Sequence, residues 1–345
     1  MITLPDIAKA DRASGEEAQR RLDGKTKPIG SLGELERLVV RIAAAKRTAD
    51  LRPMRAALVV AVGDHGYAAE NVSAYPAEVT GQMLANVSAG GAAVNVLARQ
   101  VGAELIVVNA GVRESLDWPG IRTLRLGAGT ANATKGPAMS SEQAERGVTA
   151  GMEVAGELAA SGLGLIALGE LGIGNTTAAS ALAAALLPAD AGLVCGRGTG
   201  IDDAGLARKV DVVRRALDAN AGRVQSPLGA VAAVGGFELA VLAGVCLGAA
   251  ANAQVILLDG FVTSAAALVA ARLDSASVDY MIAAHRAPEP GHDFVLSDLG
   301  LRPLFDLGLR LGEGSGAALV IPVVNAALAL MAEMATFEEA GVSER

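Results

Sequence analysis

The stretch Gly164-Leu165-Ile166-Ala167-Leu168-Gly169-Glu170-Leu171-Gly172-Ile173-Gly174-Asn175-Thr176-Thr177 decides how this chain folds. Residues 164–168 have the length and apolar content of a buried strand, and they run into Gly169-Glu170. Gly172 and Gly174 make a turn, after which Asn175, Thr176 and Thr177 open an Ala-rich helical segment that runs to residue 186. Strand, glycine turn and helix in this order are one half of a βαβ unit. Unpaired N–H groups and hydroxyls at such a helix start suit a phosphate, although residues 172–177 read equally as a turn capped by Asn or Thr. The segment has neither the Gly-Lys-Ser/Thr of a Walker loop nor a full GxGxxG.

The same alternation extends outward. Further strand candidates are residues 57–62, 105–109, 255–258 and 280–283, with 121–126 a weaker one. Helical patterns occupy residues 77–99, 141–160, 176–186, 202–219, 228–250 and 263–272. Strands alternating with helices predict an α/β fold, a doubly wound, mostly parallel sheet of about six strands covered on both faces. Ligands of such sheets gather beyond the carboxyl ends of the strands. There the chain places Gly63-Asp64-His65-Gly66, Asn109-Ala110-Gly111, Gly169-Glu170, Asp259-Gly260 and Ala284-His285-Arg286. Both chain ends read as helical without strands, so residues 1–49 and 291–345 are expected to form a small helical domain beside a large one of residues 50–290.

Composition bounds the function. The chain has 345 residues, 52% hydrophobic, with a formal net charge of -8 and a pI near 5.1. The length supports a substantial core, and the acidic balance argues against nucleic acid as the partner. Cys195 and Cys246 are too few and too far apart for a disulfide framework or a CxxC metal site, which fits a reducing cytoplasm. The first 21 residues are polar and charged, unlike a signal peptide or anchor. The apolar runs 228–251 and 317–334 are rich in Ala and Gly and contain or adjoin Glu238, Glu313 and Glu333, so they read as buried packing helices rather than membrane spans.

A second glycine-cradled acid turns this fold into a site. Leu311-Gly312-Glu313-Gly314-Ser315-Gly316 places a carboxylate in a glycine turn at the entrance of the apolar helix, where a general base would be held. Gly196-Arg197-Gly198-Thr199-Gly200, with Asp202, Asp203 and Lys209 beyond, reads as an anion loop or as a turn carrying a surface arginine. Leu22 to Gly33 contains a basic loop, Lys25-Thr26-Lys27-Pro28, and Ser31 with Glu34 reads as a capping box for the next helix. Ser73-Ala74-Tyr75-Pro76 starts a helix containing Gln82, so that a flat ring could lie on Tyr75 and bond Ser73 or Gln82, or Tyr75 could simply pack in the core. His65, His285 and His292 lack the spacing of a zinc pair, and Asp64 beside His65 reads as an orienting carboxylate. Gly314-Ser315-Gly316 is only a fragment of a hydrolase elbow.

Seven segments together resemble the nicotinate-nucleotide–dimethylbenzimidazole phosphoribosyltransferase family. They are Thr26-Lys27-Pro28-x-Gly30-Ser31-Leu32-Gly33, Gly63-Asp64-His65-Gly66, Val72-Ser73-Ala74-Tyr75-Pro76, residues 169–177, residues 196–200, Glu289-Pro290-Gly291-His292, and Gly312-Glu313-Gly314-Ser315-Gly316. They occur in order from about residue 20 to about residue 340. The resemblance implies transfer of a 5-phosphoribosyl group from nicotinate mononucleotide to 5,6-dimethylbenzimidazole. It also implies a homodimer with a large Rossmann-like domain and a small helical domain built from both termini.

On that resemblance Glu313 is the catalytic base and Glu170 a second catalytic acid near the ribose. Gly172, Gly174, Asn175, Thr176, Thr177, Gly198, Thr199 and Lys209 would hold the phosphate, while Ser73, Tyr75 and Gln82 border the benzimidazole. Neither a metal nor a cofactor is expected. The extended basic loop 25–31 suggests reach toward a neighbouring subunit's site. Asn71 and Arg286-Ala287-Pro288 depart from the family pattern, the latter leaving the 285–292 loop open. The competing readings are the same chemistry on another acceptor, such as adenine or a phenol, and a nucleotide sensor that would not need Glu313.

Overall fold

The computed structural model describes residues 2–114, 118–187 and 189–343. In chain order the elements are α1 (Arg12–Asp23), α2 (Glu34–Lys46), β1 (Ala56–Gly63), α3 (Val79–Ser88), α4 (Ala93–Val101), β2 (Glu104–Gly111) and β3 (Ile121–Thr123). There follow α5 (Ser141–Ala160), β4 (Leu165–Leu171), α6 (Asn175–Leu186), α7 (Ala191–Val194), α8 (Asp203–Ala219), α9 (Pro227–Val234) and α10 (Phe237–Ala251). The last are β5 (Val255–Leu258), α11 (Phe261–Leu273), β6 (Met281–Ala283), α12 (Pro290–Asp298), α13 (Ser315–Glu333) and α14 (Phe337–Ala340).

The six strands form one parallel sheet in the order β3-β2-β1-β4-β5-β6. Strand order reverses between β1 and β4, and the crevice beyond their carboxyl ends is the expected ligand position of a doubly wound sheet. Side chains alternate across it. Ala57, Val59 and Ala61 of β1 join a cluster with α5, α6 and α8 to α11, whereas Leu58, Val60 and Val62 join one with α1, α2, α4 and α13. Both faces are therefore dry, which is why the strands read as continuous apolar runs.

Small residues set the spacing. Helices α5 and α10 pack so closely that a Cβ at Gly147 would lie 2.8 Å from Ala240 Cβ. Helix α13 is the only described helix long and apolar enough to cross a membrane, and here it lies across the sheet with α2 and α4. The two chain ends also meet: Lys25 bridges Thr336, and Thr26 N–H donates to the Ala335 carbonyl at 3.0 Å.

The structure corrects several expected boundaries. The segment 77–99 is two helices, because Gly90 adopts φ +82° and residues 89–92 leave the helix before α4. The segment 228–250 likewise breaks at Gly235-Gly236, which separate α9 from α10. The weaker strand candidate shrinks to Ile121–Thr123. No Ser31–Glu34 capping box forms, since Gly33 occupies the N-cap and Glu36 instead accepts from Leu32 N–H at 3.0 Å.

Candidate active site

Strand β4 runs three residues further than the apolar stretch alone indicates, so Glu170 belongs to the strand's end rather than to the turn. Its carbonyl accepts the Glu313 N–H at 3.2 Å, which ties the two glycine-cradled acids together through the backbone. Close approach demands glycine on both sides: a Cβ at Gly169 would meet the Glu313 carbonyl at 2.6 Å, and one at Gly312 would meet Glu170 Oε1 at 2.5 Å. Glu313 itself sits at φ +59°, between Gly312 at +84° and Gly314 at +80°. A left-handed glutamate is strained, and such strain persists only where the surroundings fix it.

Two helices fix it. Glu313 Oε2 accepts the Val94 N–H at 3.3 Å, at the start of α4, whose N-cap Ala92 has no side chain able to accept. Helix α13 begins after Gly314, which also lacks one, and Asp259 from the end of β5 caps it instead. Asp259 Oδ1 accepts from Gly316 N–H at 2.7 Å and Ala317 N–H at 2.9 Å. His285 Nε2 stands 3.6 Å from the same oxygen.

These acids open onto a cavity of about 690 Å³ at the carboxyl ends of the strands. Glu170, Asp259 and Glu313 all line it, at 8%, 1% and 5% exposure. Burial, then the charges of Asp259, Glu238 and Glu313, push the Glu170 carboxyl well above its ordinary range. Burial also raises Glu313, opposed by the Val94 N–H and reinforced by Asp259. Burial would lower His285, yet the Asp259 carboxylate reverses the balance and its pKa rises. The apolar wall comprises Tyr75, Val79, Met83, Leu171, Phe261 and Val262, a surface suited to a flat ring.

Of the residues expected from sequence, Tyr75, Gly172, Asn175, Thr176, Gly198 and Thr199 line the cavity with both glutamates. Asn175 Nδ2 donates to Glu170 Oε2. Ser73, Gly174, Thr177 and Lys209 stand behind that wall. Ser73 Oγ is 3.1 Å from Thr199 Oγ1, and Gly174 supplies the left-handed N-cap of α6. Thr177 is fully buried inside α6. Lys209, also fully buried, donates from Nζ to Thr176 Oγ1 at 2.9 Å and to the Gly196 carbonyl at 3.0 Å. Gln82 is not brought to the cavity: Val79, Thr80 and Met83 occupy that side of α3, and Gln82 is exposed on its flank.

Other expectations also shift. His65 faces Glu238 of α10, with Nε2 to Oε1 at 2.9 Å and both side chains fully buried, while Asp64 Oδ2 accepts from Arg113 N–H at 2.9 Å. Arg197 turns outward to Asp203. Among the described residues, no group of three or more His, Cys, Asp and Glu side chains could hold a metal ion. Sequence reasoning missed Thr80, Glu289 and Arg310 as cavity residues. Thr80 Oγ1 accepts from Ile173 N–H at 3.0 Å, and Glu289 Oε1 accepts from Gly198 N–H at 2.8 Å. The strand-end rule already pointed at Asp259 and His285, whereas only nearness to the Glu313 turn marks Arg310.

A doubly wound sheet with glycine-rich helix starts and paired buried acids beyond its strand ends is the ligand site of an α/β enzyme. The family model described as "Phosphoribosyltransferase" matches residues 7–342. The nicotinate-nucleotide–dimethylbenzimidazole phosphoribosyltransferase of Chloroflexus aurantiacus is 49% identical over 99% of this chain and 98% of its own. That of Pseudomonas fluorescens is 49% identical over 97% and 96%. The crystal structure of the enzyme from Thermus thermophilus superposes with a TM-score of 0.91 at 44% identity, covering 97% of this chain and 100% of the other. The chain is thus a phosphoribosyltransferase, and it belongs to the nicotinate-nucleotide–dimethylbenzimidazole phosphoribosyltransferase family.

Proposed function

We infer that this protein transfers the 5-phosphoribosyl group of nicotinate mononucleotide to 5,6-dimethylbenzimidazole, releasing nicotinate and forming α-ribazole 5′-phosphate, a step in assembling the nucleotide loop of cobalamin. The observation that carries this reading is Glu313, a buried carboxylate at φ +59° on the wall of a cavity with an apolar side large enough for a bicyclic ring. Relatives bearing this activity in their names align with almost the whole chain.

The chemistry follows from the two acids. One benzimidazole nitrogen forms a bond to C1′ as the bond from C1′ to the pyridinium nitrogen breaks, and the departing electron pair neutralises nicotinate's ring. Attack opposite the leaving group converts the β-linkage to α. The other benzimidazole nitrogen then carries an acidic proton, which Glu313 takes. Its raised pKa makes it a stronger base than an exposed glutamate. Glu170, at the end of β4, is placed to offset positive charge developing at C1′ in its ionised form, which its raised pKa shifts to higher pH than for an exposed glutamate. The phosphate lies toward Thr176, Gly198 and Thr199, with Lys209 supporting Thr176 from behind.

The working form in this reading is a cytoplasmic homodimer, with residues 1–49 and 291–345 as the small domain. Exposed Ile29, Tyr75, Leu307 and Leu311 offer apolar surface to a second copy, and two buried free thiols suit a reducing compartment. Sedimentation velocity measures the assembly.

The test of the reaction is chromatographic detection of nicotinate and α-ribazole phosphate. Glu313→Gln is expected to lower kcat by roughly 10²- to 10⁴-fold. The acidic limb of the wild-type pH profile should lie above the ordinary glutamate range, with activity lost as pH falls. Wild-type protein that binds nicotinate mononucleotide but forms no product would refute the transferase reading.

A further inference from the structure

The charges around the cavity are unevenly matched. Its ionisable lining residues include Glu170, Asp259, Glu289, Glu313, His285 and Arg310. A substrate carrying a phosphate dianion must enter among four carboxylates, so the cations decide where the phosphate rests. Lys209 is committed: its ammonium is buried behind Thr176, bonded to Thr176 Oγ1 and the Gly196 carbonyl, and the Glu289 carboxylate acts on it electrostatically. The Gly198 N–H, which sequence reading offered to the anion, is held by Glu289 Oε1. His285 is engaged with Asp259.

Arg310 differs from these. It is exposed at the cavity wall, has no ion-pair partner among the described residues, and its Nη1 lies 3.7 Å from the position a Cβ would take on Gly200. That glycine ends the loop carrying Gly198 and Thr199, and Gly200 adopts φ +101°. We propose that Arg310 binds the substrate's 5′-phosphate against the 198–200 loop, opposite Thr176, and so seats the ribose over the acids. The planar guanidinium can give two parallel N–H bonds to phosphate oxygens, which a lysine cannot. Arg310 lies only three residues before Glu313 in the same glycine-bearing loop, so phosphate bound there also steadies the base.

The inference rests on the transferase reading, and two ligands separate them. Dissociation constants for nicotinate mononucleotide and for nicotinate riboside, which lacks only the phosphate, are measured by calorimetry on wild type, Arg310→Met and Arg310→Lys, with product formation followed alongside. The wild type should favour the mononucleotide. Arg310→Met should weaken mononucleotide binding on the order of tenfold to a hundredfold, as loss of a hydrogen bond to a charged group does, with riboside binding unaltered. Arg310→Lys should fall between. Equal weakening of both ligands would place Arg310 on the nicotinate or ribose and overturn the proposal, as would no change in either. Arg310→Lys alone decides should the methionine variant not fold. Loss of discrimination in a protein that makes no α-ribazole phosphate would leave Arg310 as the phosphate ligand and remove the transferase reading.

Discussion

Glu170, which the proposed reaction uses, illustrates how a single buried acid can be costly to the fold. Its carboxyl is pushed well above the ordinary range by burial and then by Asp259, Glu238 and Glu313. Between the unfolded and the raised folded pKa the native state holds the extra proton, so stability falls as pH rises through that window. Glu170→Gln removes the charge while keeping an amide oxygen that accepts from Asn175. The variant should therefore melt higher than wild type at pH 8, by about 1–2 °C for each kcal/mol recovered, with the gap closing near pH 4. Calorimetric melting across pH measures this, and a gap that widens on acidification would contradict it. Turnover should fall at the same time, a cost common at strained or charged sites.

Among the elements, the site depends on helices whose own sequences do not cap them. Helix α13 starts after Gly314, and the oxygen that satisfies its first N–H groups comes from Asp259 at the end of β5. Asp259→Ala should cost about 1–2 kcal/mol of stability, as loss of a cap does, and loosen the turn that holds Glu313. Asp259→Asn keeps an acceptor oxygen and should recover most of the stability. Denaturant midpoints for the two variants check this, and equal midpoints would mean that Asp259 is not acting as a cap. Sequence pattern located all six strands within a few residues, because β1, β2, β4 and β5 are built on apolar runs that end at or just before Gly, Asp or Asn, while the short edge strands Ile121–Thr123 and Met281–Ala283 carry a weaker signal. It could not locate the breaks at Gly90 and at Gly235-Gly236, since a glycine inside a helical pattern is a weak local signal and only packing decides whether the helix continues.

Across the molecule as a whole, the N-terminal loop is tied down by an ion pair that is almost fully buried. Lys27 Nζ lies 2.8 Å from Glu36 Oε1, with both side chains 5% exposed. Removing one partner strands the other charge in a dry site, so Lys27→Met should destabilise the protein by about 3 kcal/mol, read from urea unfolding. The double variant Lys27→Met with Glu36→Leu should recover much of that loss. An unchanged midpoint in the single variant would show the pair to be solvated. The site likewise draws on most of the chain: β4, β5, α3, the 196–200 loop and the turn before α13 all contribute to one wall.

Local patterns in the amino-acid sequence carry the parallel α/β architecture, the family, and the two glycine-cradled acids. These are written in short-range signals: apolar runs of strand length, helical periodicity, and glycines where the backbone must turn left-handed or approach closely. Only packing in three dimensions settles that His65 faces Glu238 rather than Asp64, that Gln82 points away from the cavity while Thr80 and Met83 face it, and that Arg310 comes to the 198–200 loop. The same packing holds Glu313 at the start of α4. Each of these joins groups far apart in the chain, and which buried polar group finds which partner is set by how the layers pack, a quantity that no local window of sequence contains.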